Sequence, residues 1–145
     1  MNKPIHCYHF TVQETHLDVF GHMNHAVYLE LFEEARWDLI TVGGYGLKKI
    51  LQEKIGPVVL EASIVYKKEL AAREKILINT YSGEMKNKLV MTLNQEMLKE
   101  NGDFAATLKL SVGLFDMQKR KLLLPTDDWL SAIGMVLPVN YTALK

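Results

Sequence analysis

The chain has 145 residues, 48% of them hydrophobic and 23% charged, a balance that suits an ordinary folded domain with one apolar core. Seventeen Lys plus Arg offset seventeen Asp plus Glu, so the formal charge is zero; this argues against a nucleic-acid-binding surface and mildly favours self-association. One cysteine, Cys7, excludes an intrachain disulfide and a zinc site built on several thiolates.

The first residues, MNKPIHCYHF, hold no long apolar run and no signal-peptide pattern. No stretch approaches the ~20 apolar residues that span a bilayer. With a single free thiol, the expectation is a cytoplasmic protein without a membrane span. No repeat, low-complexity segment or Pro/Gly/Ser-rich linker interrupts the chain, so residues 1–145 read as one domain.

In chain order, His6 to Gln13 form a short strand with aromatic and β-branched members. A polar, glycine-containing loop follows, ETHLDVFGHMNH. A helix is predicted from about Ala26 to Val42, because Val27, Tyr28, Leu31, Phe32, Ala35, Leu39 and Val42 recur at helical spacing. Glu30, Glu33 and Arg36 lie off that stripe. Asn24 suits the N-cap and Gly43-Gly44 the stop.

From Pro57 to Leu124 the pattern is of strands. In PVVLEASIVY, Val58, Leu60, Ala62, Ile64 and Tyr66 share a face; in KILINTYSG, Ile76, Ile78 and Thr80 do. In KLVMTLNQEM, Leu89, Met91, Leu93 and Met97 face one way, and in FAATLKLSVGLF so do Phe104, Ala106, Leu108, Leu110, Val112 and Leu114. This period of two predicts half-buried antiparallel strands. Asn101-Gly102 predicts a hairpin and Asn87-Lys88 a further turn. Pro125-Thr126-Asp127-Asp128 predicts a short helix over about Asp127 to Ile133. One helix and one antiparallel sheet make a two-layer α+β domain. Val59, Val65, Leu77, Tyr81, Val90, Leu98 and Phe115 are apolar on the second face. One helix cannot cover both faces, so some sheet surface or edge is expected to meet another subunit.

The loop before the helix is the segment with chemistry. Between Glu14 and His25 it holds Glu14, His16, Asp18, His22, Asn24 and His25, and all five histidines of the chain lie between residues 6 and 25. A loop that feeds a helix N-terminus suits reactions that build negative charge, because the first amides of a helix lack internal partners. His22, His25 and nearby His16 do not complete a ligand set of known spacing, so no metal is expected.

The run Asp18-Val19-Phe20-Gly21-His22-Met23-Asn24-His25-Ala26-Val27-Tyr28-Leu29-Glu30-Leu31-Phe32-Glu33-Glu34-Ala35-Arg36 resembles the signature of hot-dog thioesterases of the 4-hydroxybenzoyl-CoA thioesterase type. Those read D-x-x-G-H-x-N-N, a small residue, V-Y-L, then F-E-E-A-R; the departure here is His25 where a second Asn is common. The strand pattern, Tyr66-Lys67-Lys68 and Leu124-Pro125-Thr126-Asp127 extend the resemblance over nearly the whole chain.

The resemblance implies a sheet wrapped around a central helix. It implies a homodimer with one continuous sheet, or a homotetramer made of two such dimers, with active sites at the dimer interface. The implied substrate is an acyl-CoA or acyl-carrier-protein thioester, with coenzyme A as part of the substrate and no further cofactor. The implied roles are Asp18 as nucleophile or general base, and the backbone N–H of His25 or a neighbour as oxyanion donor. His22 would orient the loop or Asp18. Asn24 would cap the helix, contact the substrate, or both. Glu33 is a further carboxylate candidate, since related enzymes use one in this part of the helix. Lys67, Lys68, Arg73, Lys86 and Lys88 read as solvated surface charges that could reach CoA phosphates. The alternative is a non-catalytic acyl-CoA or acyl-carrier-protein binding module on the same fold. A hot-dog hydratase would carry a different signature, not found here, and an assembly protein would use only the sheet.

Overall fold

In the computed structural model, which describes residues 3–135, α1 (His25–Val42) is the long element of the chain, at about 27 Å. Asn24 caps its start, with Oδ1 accepting from the Ala26 N–H at 2.9 Å, and the Gly43 N–H closes its end on Leu39 O at 3.0 Å. Tyr28, Leu31, Phe32, Ala35, Leu39 and Ile40 are its buried residues. Val42 belongs to the predicted stripe yet is 77% exposed. It sits in the last turn of α1, two residues past the last buried one.

The strands are β1 (His6–Thr11), β2 (Ile55–Tyr66), β3 (Lys75–Met85), β4 (Val90–Lys99), β5 (Phe104–Asp116) and β6 (Lys121–Leu123). They form one antiparallel sheet in the order β1-β3-β4-β5-β2, with β6 pairing β5 beyond the end of β4. One face is lined by Ile76, Ile78, Met91, Leu93, Met97, Leu108, Leu110 and Leu114, and these join the buried residues of α1 in one core. The sheet wraps the long helix, which is the expected hot-dog arrangement. Helix α2 (Leu47–Glu53) packs against β2, and helix α3 (Asp127–Ala132) packs against α1. Trp129 of α3 is buried, with its indole N–H donating to Met91 Sδ at 3.1 Å.

Several details depart from the alternation read in the sequence. A bulge between Met97 and Leu98 shifts the register of β4 on β5, so Ala105 is fully buried and Phe104 is turned 41% into solvent. A second bulge between Val59 and Glu61 breaks the face expected for β2, and Leu60 is 48% exposed. Strand β2 is an edge strand: among the described residues no strand pairs its outer side. Helix α2 and strand β6 were not foreseen, because both are short and their burial comes from neighbours distant in sequence. Gln95, at a core position of β4, is buried. Its Nε2 donates to Phe32 O at 3.1 Å and to Thr80 Oγ1 at 3.0 Å, so its amide is satisfied.

Three phenols are pushed up from an ordinary value of 10.0 to about 12. Burial is the first cause for each. Next come the Glu34 carboxylate that accepts the Tyr8 hydrogen bond at 2.8 Å, the Tyr66 phenol beside Tyr28, and the Glu53 charge near Tyr45. The unfolded phenols ionise near pH 10 while the folded ones hold their protons. The native state therefore binds more protons there, and stability falls as pH rises. In thermal melts the tyrosine-dependent loss of Tm is expected between about pH 10 and pH 12, with none below. Tyr45→Phe should flatten part of that fall; an identical profile in the variant would remove the buried phenol as its cause.

Candidate active site

Residues 16–24 fold back on themselves as a small hairpin that delivers the chain into α1. The Asn24 N–H donates to His16 O at 2.9 Å, Leu17 and Met23 form an antiparallel bridge, and the Asp18 N–H donates to His22 O at 2.9 Å. At the tip, the Gly21 N–H donates to Asp18 O at 3.0 Å and the Phe20 N–H to Asp18 Oδ1 at 2.9 Å. An aspartate serves this turn because its short carboxylate reaches the backbone two residues on. Gly21 supplies the left-handed conformation, at φ 83°. The hairpin is tied to the body by the Met23 N–H on Leu70 O, 2.8 Å, and by His22 Nδ1 at 3.3 Å from Glu69 Oε2.

Asp18 thus stands two residues beyond the rung that joins His16 to the helix cap, roughly 7 Å along the hairpin. Its carboxylate is half-buried and lies among the charges that act on the Tyr28 phenol. Oδ1 is held by the turn; no hydrogen bond to Oδ2 is found among the described residues. The turn role that an aspartate offers here is therefore real, and it occupies one carboxylate oxygen.

The cap leaves a particular amide open. Asn24 Oδ1 takes the Ala26 N–H and Asn24 O takes the Val27 N–H at 3.0 Å. Among the described residues no acceptor is found for the His25 N–H, the first of the helix, where the partial positive charge of the helix end is concentrated. Beside it, the Tyr66 hydroxyl donates to His25 O at 2.9 Å. Tyr66 meets Tyr28 edge to face, with ring centroids 5.1 Å apart. Val19 and Phe20, at the hairpin tip, are 94% and 83% exposed.

The structure thus brings Asp18, His22 and Asn24 together with the His25 backbone. The His22 side chain turns to Glu69 rather than to Asp18, and its link to Asp18 runs through its carbonyl. Glu33 is elsewhere: eight residues past His25, about 12 Å along the helix, and exposed. It lines an apolar pocket with Arg36, Trp37, Ile40, Val59 and Trp129. Arg36 corrects the expectation that it lies off the buried stripe. Its guanidinium reaches inward to donate to Gln95 Oε1 at 2.9 Å. Burial lowers its pKa, and the Glu33 charge opposes that shift. Of the basic side chains, Arg73 pairs with Glu14, Lys86 Nζ lies 3.6 Å from Glu61, and Lys67 Nζ lies over the Phe104 ring. The sequence places Tyr66 on a strand face and within the family resemblance but does not show its bond to the helix start, and it does not single out Glu69, because their partners lie 41 and 47 residues away.

The sequence model of the thioesterase-like superfamily matches residues 12–133. The long-chain acyl-CoA thioesterase FadM of Escherichia coli is 27% identical over 112 residues, covering 77% of this chain and 84% of its own. The structure of a probable thioesterase of Escherichia coli, YbaW, superposes with a TM-score of 0.76 at 25% identity, over 88% of this chain and 96% of that one. A Staphylococcus aureus protein solved in complex with CoA superposes with a TM-score of 0.81 at 20% identity, over 92% of this chain and 86% of that one.

Proposed function

The chain belongs to the thioesterase-like superfamily, and from that premise we propose that it hydrolyses an acyl-CoA thioester to the free acid and CoA, with Asp18 and the His25 amide as its chemical centre. The observation that carries this reading is one hairpin that holds a carboxylate with an uncommitted oxygen and, roughly 7 Å along it, leads into the first, unclaimed amide of α1. A thioester carbonyl is electrophilic enough for a carboxylate to attack it or to prepare a water for it. As general base, Asp18 takes a proton from water while the oxygen adds to the carbonyl. As nucleophile, it adds directly, and water then cleaves the acyl-aspartyl anhydride. In both routes the His25 N–H receives the developing oxyanion and the C–S bond breaks; the CoA thiolate takes its proton from Asp18 in the first route and from solvent in the second. His22 and Asn24 act on this centre by holding the hairpin and capping the helix.

The working unit in this reading is a homodimer joined through the free edge of β2, where Val59, Leu60, Val65 and Tyr66 are exposed. Tyr66 stands at the end of β2 beside the helix start, and Val59 stands toward the other end beside the pocket with Glu33 and Arg36. Antiparallel pairing of two β2 strands reverses one against the other. It would therefore bring the hairpin of one subunit toward the pocket of its partner, and so unite Asp18 with a Glu33 that its own chain holds apart. Among the described residues no helix is long and apolar enough to cross a membrane. The free Cys7 thiol supports a cytoplasmic setting.

Thiol release is to be followed over a panel of aliphatic and aromatic acyl-CoA esters, together with the mass of the protein in solution. Release with at least one ester and a mass of two or four chains is expected. Tight binding of acyl-CoA with no release would replace the enzyme by a binding module.

A further inference from the structure

We propose that Tyr66 is a positioning residue for the oxyanion donor; the proposal rests on the reading of the His25 amide given above. The two peptide units that flank the His25 Cα are held by different groups. In the unit between Asn24 and His25, the carbonyl accepts from the Val27 N–H at 3.0 Å and the N–H is the unclaimed one. In the unit between His25 and Ala26, the N–H is held by Asn24 Oδ1 at 2.9 Å and the carbonyl by the Tyr66 hydroxyl at 2.9 Å. The direction of the His25 N–H depends on the rotations about that one Cα. Val27 holds the first plane; the Asn24 cap and, from outside the helix, Tyr66 hold the second.

An external tie steadies this place because the N–H groups of the first turn lack internal acceptors and helix ends fray readily. The tie itself comes from a firm support. Tyr66 is the last residue of β2, paired to Ala106 of β5, and its ring meets the edge of the buried Tyr28 ring. Tyr28 in turn donates its hydroxyl to Lys68 O at 3.1 Å, which fixes the backbone just after Tyr66. The bond spans 41 residues, so it joins the edge strand to the helix mouth and does not merely cap a turn. The hydroxyl's one proton is committed to this bond, so Tyr66 acts here through His25. Preorganised donors stabilise an oxyanion because no reorientation is needed as charge develops, and small misplacements are costly.

The test compares wild type, Tyr66→Phe and Asp18→Asn in thiol release with one acyl-CoA, alongside Tm, oligomer mass and the amide spectrum. Tyr66→Phe is expected to lower kcat about tenfold with KM within about twofold, unchanged Tm and unchanged mass. The His25 amide signal should shift and exchange faster than in wild type. Unchanged kcat in Tyr66→Phe, while Asp18→Asn is inactive, would overturn this role and leave the hydrolase intact. Activity absent in wild type would instead remove the catalytic reading beneath it. Should Tyr66→Phe not fold, Tyr66→Met deletes the same bond with a flexible side chain; loss of the fold in both would make the hydroxyl a part of the fold and overturn the proposal as well.

Discussion

Asp18→Asn is expected to slow thiol release by roughly 10²- to 10⁴-fold, the range supplied by a positioned acid–base group. The substitution separates two roles that one side chain fills. The turn at the hairpin tip needs an oxygen to accept the Phe20 N–H at 2.9 Å, and asparagine keeps that oxygen. The hairpin rungs from Asp18 N–H to His22 O and from Asn24 N–H to His16 O are backbone bonds and do not depend on the side chain. Tm is therefore expected to change by little. What asparagine removes is the second, uncommitted oxygen with its negative charge, and an amide neither accepts a proton from water nor attacks a thioester at a useful rate. Activity retained within a few-fold would reduce Asp18 to a turn residue. Incorporation of labelled solvent oxygen into Asp18 during a single turnover would establish the nucleophile route.

The second large effect is on stability. Phe32→Ala is expected to cost about 3–5 kcal/mol, the usual range for a phenylalanine truncated in a core. Phe32 has no exposed surface and lies near the middle of α1, with the sheet around it. The cavity cannot close easily, because its surroundings are tied by more than packing. The Phe32 carbonyl receives the Gln95 amide, Gln95 also holds the Thr80 hydroxyl, and the Arg36 guanidinium is anchored on Gln95 Oε1. At roughly 2–4 °C per kcal/mol for a chain of this size, Tm should fall by on the order of 10 °C. Val42→Ala, on the same sequence stripe, should change Tm by less than about 2 °C, because that side chain is largely in solvent. A fall in Phe32→Ala no larger than in Val42→Ala would show that the centre of the helix is not where the fold is held.

These two residues also mark where the sequence is informative. Phe32 and Val42 stand alike in the helical pattern, since periodicity reports which side of a helix a residue occupies. How far the sheet extends along that helix is set by strands far away in the chain. Phe104 and Ala105 exchange places in the same way: alternation predicts the face, and one bulge across the strand pair reverses it. Arg36 read as lying off the buried stripe because a local pattern contains no information about Gln95, which lies 59 residues on.

From the sequence alone came the α+β class, the helix with its Asn24 cap and glycine stop, the hairpin turn at Asn101-Gly102, and the loop rich in acid and histidine side chains. All of these are local, governed by the period of the backbone and by side chains that bond to their own neighbours. The tertiary structure decided that β2 is an outer strand of the sheet among the described residues, that Glu33 sits in a pocket apart from Asp18, and that a strand tyrosine ties the first turn of α1. Those depend on which distant segments pack together, and a packing contact is a property of two surfaces that neither segment encodes by itself.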